Sequence, residues 1–177
     1  MSNALLKVMP EFKDIKDAGL RDKAMTVWTE AMAVGRWTFD DLRDMPFTLL
    51  IKETGVSLVS HTRAVTRTAM NIAQVLDEAY KGKVKVNWDT LLAGALLHDV
   101  GKMFEYKREG GRFVQSENGR LLRHPVSGAA FASRFDLPLE IIHIIAAHSK
   151  EGDGLRRTIE AVIVNHADFV NFDALKE

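Results

Sequence analysis

The sequence lacks cysteine altogether, so it can form neither a disulfide bond nor a zinc site with thiolate ligands. Neither sign of charge is in excess, because 24 Lys and Arg residues balance 24 Asp and Glu residues, and a broad basic face for duplex nucleic acid is not indicated. No apolar run approaches the roughly 18 residues of a membrane-spanning helix, and the N-terminal residues lack the apolar segment of a secretory signal. We therefore expect a cytoplasmic protein that does not engage a membrane.

The sequence does have the composition of a globular protein, with 46% hydrophobic and 27% charged residues over the length of one domain. Its apolar residues recur mostly at helical spacing. The pair Gly110–Gly111 lies between short apolar stretches and predicts a β-hairpin within residues 104–115. The predicted fold class is all-α, a helical bundle with a short β-hairpin and an N-terminal helical extension. Helices are predicted over residues 13–34, 39–45, 56–80, 88–100, 125–135, 138–148 and 156–171.

The N-terminal third is expected to form a helical extension over residues 1–50, followed by the main domain over residues 51–177. The first ten residues are expected to be poorly ordered. The helix after them has one apolar stripe, which includes Leu20, Ala24 and Trp28. This stripe either packs on the core of the main domain or forms the interface of a homodimer.

The functional signal comes from polar residues that interrupt the apolar faces of four predicted helices. Burying such a group without a partner costs roughly several kcal/mol of folding free energy, and burying an unpaired carboxylate costs more. A single buried histidine is commonly a satisfied core residue. Four helices that each direct a metal-ligating residue type inward instead indicate a shared cation. These four residues are His61, His98, His148 and Asp168.

Two more ligand types lie beside these helices. Asp99 follows His98 where a helix is predicted to end, and His124 precedes Pro125, which should place it outside helical geometry at a helix mouth. Gly101 is expected to provide the freedom to turn. Lys102 then brings a positive charge suited to a phosphate oxygen, unless it only meets the dipole of the preceding helix.

These motifs resemble those of the HD-domain metal-dependent phosphohydrolases. His61-Thr-Arg63 resembles the first motif of that family, HDVGK at residues 98–102 the second, and Ala167-Asp168 the last, over roughly residues 55–175 in all. His124 and His148 resemble the additional ligands of its binuclear branches, which include bacterial 3′–5′ exoribonucleases and cyclic-dinucleotide phosphodiesterases. The sequence departs from those branches at Ser149, where they often carry a second consecutive histidine.

The resemblance implies two divalent cations, drawn from Mn, Fe, Co, Ni and Zn, with Asp99 as the bridge between them. It assigns His61, His98 and Asp168 to one cation and His124 and His148 to the other. The implied activity is hydrolysis of a phosphomonoester or phosphodiester, with a small nucleotide-like molecule or short nucleotide as substrate. Asp99 and Lys102 are then the catalytic residues, and the predicted substrate-binding residues are Lys102, Arg63, Arg123 and Lys150.

Several points stay open on the sequence alone. Arg63 either reaches phosphate or pairs with a carboxylate, and Asn165 is expected to orient a ligand from one turn before Asp168. His143 and His166 are expected to be structural or solvent-facing. The hairpin is expected to overhang the site and influence substrate choice. The alternatives to a phosphohydrolase are a mixed-valent di-iron oxygenase with the same six ligand types and a non-catalytic nucleotide-binding domain.

Overall fold

The computed structural model describes residues 2–52 and 54–176. Apart from one two-stranded sheet, the regular structure of this part is helical, so the predicted fold class is confirmed. The helices are α1 (Ser2–Val8), α2 (Ala18–Gly35), α3 (Phe39–Asp44), α4 (Leu58–Tyr80), α5 (Trp88–Leu97), α6 (Lys102–Glu105), α7 (Glu117–Leu121), α8 (His124–Ala132), α9 (Leu139–Ala147) and α10 (Ile159–Asp173). Short 3₁₀ turns occupy Pro10–Asp14, Ser133–Phe135 and Lys150–Gly152.

Helix α5 is the centre of the fold. Every residue from 90 to 97 is buried, and the helix packs against α2, α4, α9 and α10. The sequence had predicted only one buried stripe on this helix. Because α5 is surrounded on all sides, the residues at its C-terminal end, His98 and Asp99, emerge in the interior rather than at the surface.

The N-terminal helices pack on this centre, which is one of the two roles left open for the apolar stripe of α2. Trp28 is fully buried, and its indole Nε1 donates a hydrogen bond to the carbonyl oxygen of Leu96 at 2.7 Å. The expectation that the first ten residues are poorly ordered was wrong for residues 2–10, because α1 covers Ser2–Val8 and both Leu5 and Met9 are fully buried. Met1 lies outside the described residues. The division into two domains at residue 50, and the homodimer, stay predictions.

The largest difference at a helix boundary is the start of α2, predicted at residue 13 and observed at Ala18. The side chain of Asp17 caps the helix by accepting a hydrogen bond from the Leu20 backbone N–H at 3.0 Å. The carboxylate of Asp89 accepts hydrogen bonds from the backbone N–H groups of Lys16 and Asp17, both at 2.8 Å. These contacts hold the preceding residues out of the helix.

Helix α8 begins one residue earlier than predicted. His124 is its first residue and Pro125 its second, so the expectation that His124 lies outside helical geometry was wrong. The N-cap residue is Arg123, whose φ of −51° and ψ of 153° lie outside the helical region, and Pro125 is accommodated in the first turn. Pro138 was predicted to be the first residue of its helix, but it is the N-cap residue of α9, which starts at Leu139.

The predicted β-hairpin is present. Strands β1 (Tyr106–Glu109) and β2 (Arg112–Gln115) pair antiparallel with Glu109 opposite Arg112. Gly110 and Gly111 both have positive φ angles, +57° and +76°, which a two-residue turn of this kind requires at both central positions. Within the described residues, no helix has the length and apolar character needed to cross a membrane.

Candidate metal centre

The six residues predicted as metal ligands converge in the interior between α4, α5, α8, α9 and α10. His61 Nε2 lies 2.9 Å from Asp168 Oδ1 and 3.6 Å from Asp99 Oδ2. His124 Nε2 lies 3.3 Å from Asp99 Oδ1. All six side chains are buried or nearly so, with Asp168 the most accessible at 15%. Five separate helices or helix ends thus direct ligand atoms to one point.

Two of the histidines are held in the same way at helix ends. His98 follows the last residue of α5, and its Nδ1 donates to the Ala95 carbonyl at 2.7 Å. His148 follows the last residue of α9, and its Nδ1 donates to the Ile145 carbonyl at 2.8 Å. Carbonyls in the last turn of a helix lack partners within it, so they are free to accept these bonds. Each ring is fixed as the Nδ1–H tautomer, with the Nε2 lone pair directed into the site.

His124 lies at the start of a helix, where no such carbonyl is available, and a carboxylate takes its place. Glu105 Oε2 accepts hydrogen bonds from both the backbone N–H of His124, at 2.9 Å, and its ring Nδ1, at 2.6 Å. Glu105 is itself buried, and although burial alone would raise its pKa, the contacts with His124 lower it. Glu105 was not predicted from the sequence, because no periodicity links it to His124, which lies 19 positions later.

These fixed tautomers leave lone pairs facing one another. His124 Nε2 lies 3.2 Å from His148 Nε2, and neither nitrogen carries a proton when the rings are neutral. His98 Nε2 is buried and has no hydrogen-bond partner in the described part of the chain. The same holds for Asp99 Oδ2, which lies 3.0 Å from Lys102 Nζ but without hydrogen-bond geometry. A buried cluster of unpaired acceptors fits a cation, because each would gain a favourable contact.

The carboxylate of Asp99 separates the cluster into two sets. Its Oδ2 faces His61 and His98, at 3.6 and 3.4 Å, and its Oδ1 faces His124 and His148, at 3.3 and 3.7 Å. Within each set the ligand atoms lie within 4.8 Å of one another, which is close enough to surround one ion. The donors are imidazole nitrogens and carboxylate oxygens, a mixture suited to transition metals.

Asp99 and Lys102 keep each other charged despite their burial. Burial alone would raise the pKa of Asp99, but the charge of Lys102 lowers it well below its usual range. Burial alone would lower the pKa of Lys102, but the charge of Asp99 raises it. The Lys102 ammonium also donates to the Phe47 carbonyl. A positive charge is therefore fixed beside the ligand cluster.

The sequence predicted that Gly101 provides freedom to turn, but the structure requires a glycine here for a different reason. Its φ is −66°, in the right-handed helical region that any residue adopts. A Cβ at this position would lie 2.0 Å from the His124 carbonyl oxygen and 2.7 Å from the Gly128 nitrogen. The missing side chain thus allows the HDVGK turn to touch the backbone of α8, which brings His124 to Asp99.

A pocket of about 840 Å³ opens over the cluster, and His61, His124 and Asp168 line it. Three of the predicted substrate-binding residues, Lys102, Arg123 and Lys150, also line the pocket. The fourth, Arg63, does not, because its Nε donates to both carboxylate oxygens of Glu11, at 2.9 and 3.1 Å. The sequence left two roles open for Arg63, contact with phosphate and pairing with a carboxylate, and the structure shows the pairing.

The remaining polar residues fall around this centre. Asn165 Nδ2 donates to the His148 carbonyl at 2.7 Å, so it contacts a candidate ligand through the backbone. His143 Nε2 accepts a hydrogen bond from the Thr158 backbone N–H at 3.4 Å, and His166 is exposed. Two residues at the base of the hairpin, Tyr106 and Gln115, contribute to the lining of the pocket.

Residues 58–171 match the HD domain family, and this match includes all six candidate ligands. The chain belongs to the HD domain family. The matched segment begins with the first residue of α4 and ends within α10. The helices α1–α3 therefore lie outside the part that defines this HD domain.

Curated relatives of the chain include nucleic-acid and small-molecule phosphodiesterases. A dihydroneopterin 2′,3′-cyclic phosphate phosphodiesterase of Methanocaldococcus jannaschii is 40% identical over 113 residues, 63% of this chain and 44% of the relative. The ribonuclease Y of Acidothermus cellulolyticus is 29% identical over 122 residues, 66% of this chain and 22% of the relative. That of Thermosipho melanesiensis is 32% identical over 114 residues, 64% of this chain and 18% of the relative. This chain thus aligns with less than half the length of each, and no solved structure matches it significantly.

Proposed function

We propose that this HD domain protein is a metal-dependent hydrolase of phosphate esters. The observation that carries the proposal is the cluster of buried, unpaired acceptor atoms beneath an open pocket. His98 Nε2 and Asp99 Oδ2 have no hydrogen-bond partner among the described residues, and the Nε2 atoms of His124 and His148 face each other. Leaving the histidine nitrogens without a donor is costly, and a bound ion would remove this cost while sharing the carboxylate of Asp99.

The proposed ligands form two sets that share Asp99. His61, His98 and Asp168 would hold one divalent cation together with Asp99, and His124 and His148 would hold the second, also with Asp99. The division is supported by the direction of the two carboxylate oxygens and by the spacing within each set. When bound, divalent cations supply an acidified water and positive charge beside a phosphoryl oxygen.

The chain's own residues position the ester and balance its charge. Lys102 Nζ lines the pocket and is fixed by Asp99 and the Phe47 carbonyl, so its ammonium faces a phosphoryl oxygen without reorientation. Arg123 also lines the pocket, and its Nε lies 3.5 Å from Glu105 and 3.7 Å from Glu151. We propose that the guanidinium contacts the phosphate with its other nitrogens.

We further propose a small organic phosphate ester as the substrate. The volume of about 840 Å³ lies within the range of pockets that hold drug-sized ligands, and it far exceeds the size of a phosphate ion. The name of the Methanocaldococcus jannaschii relative indicates a cyclic phosphodiester of a heterocyclic compound. A 2′,3′-cyclic phosphate is therefore the first substrate to assay.

The test is phosphodiester opening and phosphate release by the protein loaded with Mn²⁺, Fe²⁺, Co²⁺, Ni²⁺ or Zn²⁺. The substrates are nucleoside 2′,3′-cyclic phosphates, nucleoside monophosphates and a short RNA. Asp99→Asn should reduce turnover by at least about a hundredfold, because one neutral amide cannot replace the shared carboxylate. Asp77→Asn, which changes an exposed residue of α4, is the matched control and should retain full activity. Oxygen uptake by the iron-loaded protein without phosphate release would contradict the proposal.

A further inference from the structure

Three of the four histidines in the ligand cluster are held through their Nδ1 atoms, and His61 is the exception. His98 and His148 donate from Nδ1 to backbone carbonyls, and His124 Nδ1 bonds to a buried carboxylate. In the part of the chain that the structure describes, Nδ1 of His61 makes no hydrogen bond. The torsion that rotates an imidazole ring is broad, so a ring without a restraint has to be immobilised when it binds a cation.

The hydrogen bond at the other ring nitrogen of His61 does not supply this restraint. Its Nε2 lies 2.9 Å from Asp168 Oδ1. Both atoms are proposed ligands of the same cation, so this bond no longer orients the ring once each of them binds the cation. A restraint that persists in the loaded protein has to act on the faces of the ring.

The ring of Phe47 lies against one face of the His61 ring. The two rings are stacked, with 4.4 Å between their centroids and 27° between their planes. Aromatic pairs favour such an arrangement when the rings are offset, and they gain energy from it beyond the burial of their area. Phe47 is fully buried, so the stack is shielded from water.

The backbone of Phe47 ties this ring to both sides of the ligand cluster. Its N–H donates to the Val56 carbonyl at 3.2 Å, two residues before the start of α4, the helix that carries His61. Its carbonyl accepts a hydrogen bond from the Lys102 ammonium, which lies directly after the turn that contains Asp99. Phe47 thus adjoins the cluster, although the match to the HD domain family begins eleven residues later, at residue 58.

Resting on the proposed function, we propose that Phe47 is a positioning residue for the cation nearer to His61. Its ring holds the imidazole with Nε2 directed into the site, in place of the Nδ1 hydrogen bonds that hold the other three rings. Without the Phe47 ring, the imidazole gains freedom that it must lose again on binding, so the affinity for this cation falls. The cation between His124 and His148 does not depend on this contact. The segment before the HD domain thereby contributes to the metal centre.

The experiment measures cation binding, so that it does not depend on turnover. Protein stripped with a chelator is titrated with Mn²⁺ by calorimetry. Phe47→Leu keeps an apolar side chain and should lower the affinity for one cation by about two- to tenfold, as expected for the loss of one aromatic pair, while the affinity for the other stays unchanged. Phe12→Leu makes the same substitution at another fully buried position and is the matched control, which should keep both wild-type affinities.

A double-mutant cycle separates the positioning of His61 from a general effect on packing. In a His61→Ala background, Phe47→Leu should cause no further loss of affinity, because no imidazole is left to hold. In a His124→Ala background, the same substitution should keep its full effect. Urea unfolding of each metal-free variant shows whether it folds, and Phe47→Met is the second variant if Phe47→Leu does not.

Equal cation affinities of the wild type and Phe47→Leu would overturn the inference, as would an equal loss in Phe12→Leu or in the His61→Ala background. The proposed function would survive these results if the wild type still hydrolysed a phosphate ester. Weaker binding by Phe47→Leu in a protein that hydrolyses no ester would support the inference and contradict the proposed function. A wild type that binds no cation would overturn both.

Discussion

Divalent cations should raise the thermal stability of this protein, and the histidine nitrogens of the candidate metal centre give the reason. Without a cation, His98 Nε2 is buried with no hydrogen-bond partner among the described residues, and such a group costs about 1–3 kcal/mol. A cation that contacts this nitrogen removes the cost in the folded state. The unfolded chain has no preformed site, so binding stabilises the folded protein selectively.

The size of the effect follows from linkage. A cation at about 100 times its dissociation constant stabilises the folded state by about 2.7 kcal/mol. For a domain of 150–250 residues, each kcal/mol raises Tm by about 2–4 °C. The expected increase in Tm is therefore on the order of 5–10 °C for one saturated site, and larger if both sites fill.

The assay is calorimetric or fluorescence-detected unfolding of protein stripped with a chelator, then titrated with Mn²⁺ or Zn²⁺. Asp99→Asn should lose most of the increase, because Asp99 faces both ligand sets. Asp77→Asn should keep it. A wild-type Tm that does not respond to any of these cations would refute the reasoning, and an equal response in Asp99→Asn would show that binding occurs elsewhere.

The remaining predictions concern the support of the site. Glu105→Gln keeps the shape of the side chain but removes the charge that holds His124, so the affinity of the second cation should fall about 10–100-fold in metal titrations; an unchanged titration curve would argue against this role. Gly101→Ala should lower the free energy of unfolding by about 1–3 kcal/mol in urea denaturation, because the new Cβ would overlap the His124 backbone. An unfolding midpoint equal to that of the wild type would contradict the close contact. Trp28→Phe should cost about 1–3 kcal/mol by leaving the Leu96 carbonyl unpaired, measured in the same way, and a neutral result would mean that water replaces the indole.

The sequence predicted which polar side chains would cluster because most of them belong to a local pattern. His61 and Asp168 each continue an apolar helical face, and His98-Asp99 closes one. The periodicity that locates a buried face therefore locates the candidate ligands on it. The apolar stripe of α2 was predictable for the same reason.

What the sequence could not provide depends on contacts between distant segments. Glu105 acquires its role only when α6 and α8 pack together, and Gly101 is required by the backbone of a helix more than twenty residues away. The start of α2 is set by Asp89, whose carboxylate binds backbone groups 72 and 73 positions earlier. Local propensity contains no information about such partners.

The most direct test of the metal centre is anomalous diffraction from a crystal of the Mn²⁺- or Zn²⁺-loaded protein. We predict one anomalous peak between Asp99 Oδ2 and the rings of His61 and His98, and a second between Asp99 Oδ1 and the rings of His124 and His148. Peaks confined to surface carboxylates, or a loaded crystal with no peak at Asp99, would contradict a metal site at this cluster.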